Sequence, residues 1–249
     1  MTALSSSWFP QLLLLLATAR SGAPASILDV FGSSVSSLVT TQEEAPHTIV
    51  RRGPGYEVRK YPSQWWVCRR HAGSLSATAQ QAAFLALFDY LAGHNNQSLV
   101  MDMAVPASVE APGMVDQANE MNEANEAEDL NEIDEVNEVD APEREAPAEG
   151  EMTTFEACFY PGKRQQANPP QPSNPRLYLK LRPKMVVYTR QFGGYADTEE
   201  EWRAETRALS AFLRDAGQLV DKQRVYWNAY DSPIKFWARR NEVWLPARD

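Results

Sequence analysis

Residues 230–245, YDSPIKFWARRNEVWL, place aromatic side chains beside fixed positive charges. Phe236 and Trp237 supply bulky apolar surface, and Lys235, Arg239 and Arg240 supply cations within a few positions. A flat apolar ligand with carboxylates at its edge needs both, because its body needs apolar walls and its carboxylates take charge-assisted hydrogen bonds. The stretch therefore indicates a binding site for an amphipathic anion.

Other residues along the chain suit the same kind of site. Arg59 and Lys60 are further candidate cations. The candidate walls are Trp65, Trp66, Met101, Met103, Tyr226, Trp227 and Trp244. Ordinary core packing is the alternative for each aromatic side chain, and a solvated surface charge is the alternative for each cation. The combination of both residue classes favours binding.

The motifs of common enzyme classes do not occur in the sequence. It contains no Gly-x-Ser-x-Gly, no phosphate-cradling glycine loop and no His-Glu-x-x-His. Asp89, Asp231 and Glu242 are isolated acids, a pattern that predicts caps or surface charges rather than a general acid. We therefore predict a protein that is not an enzyme and has no catalytic cofactor; a hydrolase of small amphipathic ligands is a weaker alternative.

Two cysteines and one sequon carry further chemistry. Cys68 and Cys158 can form one disulfide in a secreted chain. Asn96-Gln97-Ser98 has no proline in its middle position and is an acceptor for an N-linked glycan at Asn96. No spacing resembles a metal site, and the histidines number three, His47, His71 and His94.

The net charge of −9 is unevenly spread along the 249 residues. Residues 110–151 hold 16 acidic residues and one basic residue, whereas the remainder holds 23 basic and 17 acidic residues. Because the acidic run repeats Asn-Glu and has almost no aromatic content, we predict a disordered insertion at 110–150, available to a basic protein partner. The body lacks the basic clusters of a nucleic-acid-binding protein.

The N-terminus predicts secretion. Residues 8–19, WFPQLLLLLATA, form an apolar run that ends in a small-x-small pattern, and the run is too short to span a bilayer. We predict a cleaved signal peptide at 1–19, with a buried N-terminal helix as the alternative, and no membrane insertion. Residues 20–52 predict a linker with one weak helix at most.

The rest of the chain repeats one order of elements. Turn signals and period-two patterns predict a hairpin of two strands at 56–70, a helix at 77–92 and strands at 98–105 and 153–161. After the proline-rich connector 168–175, the patterns predict a second hairpin at 176–192, a helix begun by Thr198 and Glu201, and two final strands. Two βαββ-like halves predict one α+β domain at 53–246, a distorted β-barrel of about eight strands with two helices.

Four short stretches resemble the SOUL haem-binding family. They are GPGYEVRKYP at 53–62, FGGYA at 192–196, YDSP at 230–233 and RRNEVWL at 239–245. The resemblance runs from Gly53 to Pro246. It implies a distorted barrel built from a duplicated half, which binds haem or a free porphyrin in a surface groove without catalysis.

The sequence departs from the family at positions that concern the ligand. The family's Met-Thr-x-Pro-Val is here Met103-Ala104-Val105-Pro106-Ala107, and a histidine proposed as haem ligand in some members falls on Lys60. We therefore predict that the groove holds the macrocycle and its propionates more than the iron. The predicted groove residues are Lys60, Trp65, Met103, Lys235, Phe236, Trp237, Arg239 and Arg240.

The sequence predicts a secreted, monomeric, extracellular carrier or scavenger of haem or protoporphyrin. A secreted interaction module of the same fold that has lost haem binding is the alternative, with the acidic insertion as its contact to a basic partner.

Overall fold

The structure, a computed structural model of the chain, describes residues 42–73, 75–112, 154–231 and 238–248. The predicted signal peptide, residues 113–150 of the predicted insertion and the groove residues Lys235, Phe236 and Trp237 lie outside these ranges. The described elements are β1 Thr48–Gly53, β2 Tyr56–Tyr61, β3 Gln64–Ala72, α1 Ala77–Leu91, β4 Ala107–Pro112, β5 Thr154–Phe159, a 3₁₀ turn Lys163–Gln165, β6 Leu177–Arg182, β7 Met185–Phe192, α2 Glu199–Asp215, β8 Arg224–Ala229 and β9 Asn241–Pro246.

All nine described strands belong to one sheet in the order β1-β2-β7-β9-β8-β4-β5-β3-β6, and every pair of neighbours is antiparallel. The sheet is open, because β1 and β6 stand at its two edges. The predicted α+β fold with two helices and a distorted barrel of about eight strands is confirmed, with nine strands and without closure.

The two predicted hairpins are wrong. β2 pairs with β7 rather than with β3, and β3 pairs with β6 and β5. The reason lies in the duplication: the first strand of each half pairs with the second strand of the other half. Strands β2, β3, β4 and β5 of the first half are equivalent to β6, β7, β8 and β9 of the second. If the halves are exchanged, the order β2-β7-β9-β8-β4-β5-β3-β6 becomes the same order read from its other end. The sheet therefore has a pseudo-twofold axis between β4 and β8.

Both predicted helices begin and end where the sequence signals stand. The Ser76 hydroxyl accepts a hydrogen bond from the Ala79 amide at the start of α1. At the start of α2, Thr198 and Glu201 form the predicted capping box. Gly93 and Gly217 follow the helix ends with φ of 104° and 63°, a backbone region that a residue without Cβ adopts at no steric cost.

Three clusters of buried side chains form the core. The α1 cluster joins Leu87 and Leu91 to Val67 of β3, and the α2 cluster joins Leu209 to Val243 of β9. The inner cluster lies on the sheet face turned away from both helices and includes Ala45, Tyr61, Trp66, Tyr226, Tyr230 and Trp244. Because strand residues alternate between faces, β9 sends Val243 and Leu245 to the α2 cluster and Trp244 inward, as its pattern predicts.

The ordered domain begins before Gly53. Strand β1 takes in residues 48–52, which the sequence assigns to a linker, and Glu44 makes a parallel bridge with Val105. The predicted strand at 98–105 is wrong, because its backbone bonds go elsewhere. The Met101 amide donates to Leu91 at the end of α1, and the Val105 amide donates to Glu43.

Cys68 and Cys158 form a disulfide between β3 and β5. The two residues lie directly opposite each other in the antiparallel ladder, and their Cα atoms are 4.1 Å apart. Both are buried at the edge of the inner cluster. The pairing that the sequence allows is therefore present in the structure.

No helix among the described residues is long and apolar enough to cross a membrane.

The acidic insertion starts later than the sequence predicts, because Glu110 and Ala111 pair with β8 as part of β4. β4 and β5 are antiparallel neighbours, with Glu110 opposite Glu156, so the sheet brings Pro112 and Thr154 together. We expect a short Gly/Ser connector in place of residues 113–153 to leave the free energy of unfolding within about 1 kcal/mol, since loop-closure entropy grows slowly with length. Urea unfolding of both chains tests this; loss of cooperative unfolding would contradict it.

Candidate functional site

A surface groove of about 540 Å³ lies where β3 begins, beside β6 and the proline-rich connector. We call it the Trp65 groove. Its walls combine Trp65 and Tyr178 with leucine and proline side chains, and the amides of the connector add polar groups. The remaining lining residues are Ala167, Asn168, Pro169, Gln171, Pro172, Asn174, Pro175, Leu177 and Leu179.

Hydrogen bonds fix the residues directly before the connector against Trp65. The side-chain amide of Gln166 accepts from the Trp65 amide at 2.7 Å and donates to the Trp65 carbonyl at 3.2 Å. It thus takes the place of a neighbouring strand at this point of β3. The other side of the connector is held by the end of α1, where the Tyr90 hydroxyl donates to the Pro170 carbonyl at 3.0 Å.

The groove has the chemistry of a site for a flat apolar ligand. The indole of Trp65 is half-buried, and Leu179 packs against the α1 cluster. Among the described residues, the lining contains no histidine, cysteine or methionine, which are the common side-chain ligands of haem iron.

Of the lining residues that the structure describes, Tyr178 is the one with an oxygen that binds iron in some haem proteins. Burial raises the pKa of its hydroxyl, and the carboxylate of Glu156, which accepts its hydrogen bond, raises it further. The phenol is therefore held neutral. This disfavours the phenolate that would bind iron.

Two cations outside the predicted set of groove residues neighbour lining residues, one in sequence and one in space. Arg176 is exposed and stands between the lining residues Pro175 and Leu177. The guanidinium of Arg70, whose side chain is 67% exposed, lies 6.0 Å from the centre of the Tyr178 ring. The sequence signal that could have identified Arg176 as a groove cation is its position directly after the proline-rich run NPPQPSNP.

The structure places the described groove candidates on different parts of the sheet. Trp65 lines the groove, and Met103 packs against the α1 cluster. Lys60 is exposed on β2, on the same face as Val58 of the α2 cluster. Lys60 is not among the described residues that line the groove with Trp65, and β2 and β3 are far apart in the strand order.

Arg239 and Arg240 are engaged within the protein. The guanidinium of Arg239 lies 4.4 Å from the centre of the Tyr195 ring. That of Arg240 makes two hydrogen bonds of 2.9 Å to Glu44 and two more, of 2.9 and 2.7 Å, to Glu242. The sequence predicts that Arg240 contacts a propionate. In the structure, the guanidinium of Arg240 already binds two carboxylates.

Glu242 is not the isolated surface or capping acid that its sequence context predicts. Its side chain is 0% exposed and accepts hydrogen bonds from Arg59 at 2.8 and 3.1 Å, from Tyr230 at 2.8 Å and from Trp244 at 2.8 Å. Burial alone would raise the pKa of Glu242, but the charges of Arg59 and Arg240 hold it below its ordinary value. The carboxylate is the centre of a buried charged network.

The other candidate walls are core residues. Trp66, Tyr226 and Trp244 belong to the inner cluster, Trp227 to the α2 cluster and Met101 to the α1 cluster. Core packing, the alternative reading of these side chains, is therefore what the structure shows.

The histidines lie outside the groove lining. The His94 ring is 2.7 Å from the carboxylate of Asp89, and the His47 ring lies 5.0 Å from the ring of Tyr61. His71 stands near the end of β3, away from Trp65 at its start.

Comparisons with known proteins find a family that spans most of the chain. The family model described as SOUL heme-binding protein matches residues 42–246. Heme-binding protein 2 of Homo sapiens is 24% identical over 214 residues, covering 86% of this chain and 88% of that protein. Heme-binding protein 1 of Sus scrofa is 42% identical over 83 residues, covering 32% of this chain and 41% of that protein.

A solved structure of the EcmrR C-terminal domain is 10% identical, with a TM-score of 0.49, and covers 78% of this chain and 97% of that one. The family match is much stronger and includes β1 as well as the segment before it, which the sequence motifs did not reach. The chain belongs to the SOUL haem-binding protein family.

Proposed function

We propose that this protein binds haem or a free porphyrin, without catalysis, in the Trp65 groove. The observation that carries the proposal is the groove itself: in a chain of a haem-binding family, it has an indole wall, apolar neighbours and a volume of about 540 Å³. A planar macrocycle can lie against the indole and the prolines, and its propionates can reach the exposed cation Arg176 and the connector amides.

The groove lining favours contact with the macrocycle over coordination of the iron. The described lining residues include no His, Cys or Met, and the Tyr178 hydroxyl donates a hydrogen bond to Glu156. Binding energy then comes from the buried apolar area and from the propionates. Both are present in haemin and in iron-free protoporphyrin.

We expect protoporphyrin to bind within about tenfold of haemin, a difference of about 1.4 kcal/mol. Trp65→Ala removes the indole wall and should weaken both ligands by roughly tenfold or more, as expected for an aromatic anchor. Absorbance titrations of both ligands measure this. Tyr195→Ala is the matched control, because Tyr195 is a half-exposed ring beside Arg239 and outside the groove.

The outcomes distinguish three modes of binding. Loss of both ligands in Trp65→Ala alone supports the groove. Loss in Tyr195→Ala alone places the ligand beside Arg239 instead. If haemin binds far more tightly than protoporphyrin and a histidine variant abolishes the difference, the iron is the anchor and the proposal is wrong.

The proposed role is that of a secreted, monomeric carrier or scavenger. The apolar run with a small-x-small end at Ala17-Thr18-Ala19 supports export, and the disulfide is of the kind that oxidising compartments maintain. An interaction module without haem is the second candidate, supported by the 16 acidic residues between Glu110 and Glu151. Saturable one-to-one titration with haemin favours the carrier, and its absence favours the module.

A further inference from the structure

We propose that Asn96 carries an N-linked glycan that stands at the rim of the Trp65 groove and restricts access to it. The inference rests on the proposed secretion and deepens the proposed binding site. It starts from the position of the sequon, since Asn96-Gln97-Ser98 forms the turn that supports the outer wall of the groove.

Asn96 is bonded directly to a lining residue. Its amide donates to the Gln171 carbonyl at 2.9 Å, and its side-chain Oδ1 accepts from the Gln171 amide at 2.8 Å. Gln171 lines the groove, and so does Pro172, which makes a bridge with Asn95. A sugar on Asn96 therefore starts one residue from the groove wall.

The turn that carries Asn96 is held rigidly by Asn95. The buried Asn95 side chain donates to the carbonyls of Tyr90 and Leu99 at 3.1 and 2.8 Å. Its Oδ1 accepts from the amides of Gln97 and Leu99 at 3.1 and 3.0 Å. Because all of these groups are paired, the sequon keeps one position relative to the connector.

The side chain of Asn96 can carry the sugar without losing its contact. Asn96 is exposed, and its bond to Gln171 uses Oδ1, whereas glycosylation uses Nδ2. In the transfer, Nδ2 forms a bond to the anomeric carbon of a lipid-pyrophosphate-linked oligosaccharide. The bond from that carbon to the pyrophosphate oxygen breaks, and Nδ2 loses one proton.

A rim glycan affects entry to the groove more than the groove's own contacts. The lining side chains and their hydrogen bonds are unchanged, so the walls still bind the same ligand. A planar macrocycle must pass the glycan, which lowers the fraction of encounters that succeed. We expect association to be slower by about three- to tenfold in the glycosylated protein, within the spread usual for variants of one interface.

The experiment uses the full chain from a secretory host and a matched pair of sequon variants. Ser98→Ala abolishes the sequon and preserves the Asn96 side chain, which Asn96→Gln would not. Gln97→Ala keeps the sequon intact, and only the backbone amide of Gln97 takes part in the bond to Asn95. Mass measurement of each protein reports the glycan.

The accessibility of Trp65 in the groove is measured without any porphyrin. Acrylamide quenching of fluorescence, compared with and without Trp65→Phe, isolates the contribution of Trp65. We expect this contribution to be larger in Ser98→Ala, and in wild type trimmed to one sugar by an endoglycosidase, than in wild type and Gln97→Ala. Protoporphyrin association, measured by stopped flow, should follow the same order.

Several outcomes overturn the inference. They are an unmodified Asn96 in the secreted protein, or a glycan whose removal changes neither quenching of Trp65 nor association. If quenching changes as expected but no form of the protein binds haemin or protoporphyrin, the glycan is correctly placed and the proposed ligand is wrong.

Discussion

Replacing Cys68 and Cys158 together with alanine should lower the free energy of unfolding by about 4 kcal/mol. The disulfide closes a loop of 90 residues, and in the chain-entropy description a crosslink of that span removes about this much free energy from the unfolded chain. The two side chains lie opposite each other in neighbouring strands, so the folded sheet keeps its register through the ladder between β3 and β5.

Urea unfolding at neutral pH measures the loss. Wild type unfolded in the presence of reductant is the control, because it removes the crosslink and keeps both sulfur atoms. The reduced wild type and the double alanine variant should agree within about 1 kcal/mol, the size expected for replacing two small buried side chains. A loss below about 1 kcal/mol in both would show that the crosslink does not limit the unfolded chain.

The elements of this fold were predictable from local signals, whereas their pairing was not. Ser76, Thr198 and Glu201 act on backbone amides within three residues, so the helix starts can be read from the chain. Neighbouring strands in a sequence usually pair, and that rule predicted two hairpins. Here the halves exchange their first strands, and nothing in the local pattern of 56–70 or 176–192 encodes that exchange.

Some residues of the candidate site could likewise be predicted from the sequence, whereas others could not. Trp65 could be selected because an aromatic side chain in a chain that also offers cations suits the wall of a site for an amphipathic anion. Arg240 and Glu242 could not be assigned correctly, since their partners lie 196 residues away at Glu44 and 183 residues away at Arg59. Glu44 also lies in the range that the sequence predicts as linker. Residue type and spacing carry no information on such contacts before the fold is known.

Glu242→Gln should have the other large effect, a loss of about 3 kcal/mol at pH 7. Removing one partner of a buried ion pair costs about 3–5 kcal/mol, because the remaining charge stays buried without compensation. Glutamine keeps the shape of the side chain but leaves Arg59 and Arg240 facing a neutral group. The lower end of the range applies, since Glu57 still binds Arg59 and Glu44 still binds Arg240.

Glu57→Gln is the matched control. It makes the same substitution and loses an ion pair with the same Arg59, but the Glu57 side chain is 26% exposed and water screens the pair. We expect a loss of about 1 kcal/mol or less. Equal losses in the two variants would contradict the role given to burial.

The pH dependence of stability provides an independent test of Glu242. Its pKa in the folded protein lies below the ordinary value of 4.5, so the folded state binds the proton more weakly than the unfolded state. The stability contributed by the carboxylate is complete above pH 4.5 and is lost as the pH falls through the lowered pKa.

Wild type should therefore lose its advantage over Glu242→Gln as the pH falls from 7 to 3, measured as the difference between their free energies of unfolding in urea. The free energy of unfolding of the variant will still fall at acid pH, because Glu57, Glu156 and Asp221 also have lowered pKa values. A difference between the two proteins that stays constant over this range would mean that the charge of Glu242 does not stabilise the fold, and that the loss at pH 7 comes from altered packing around Tyr230 and Trp244.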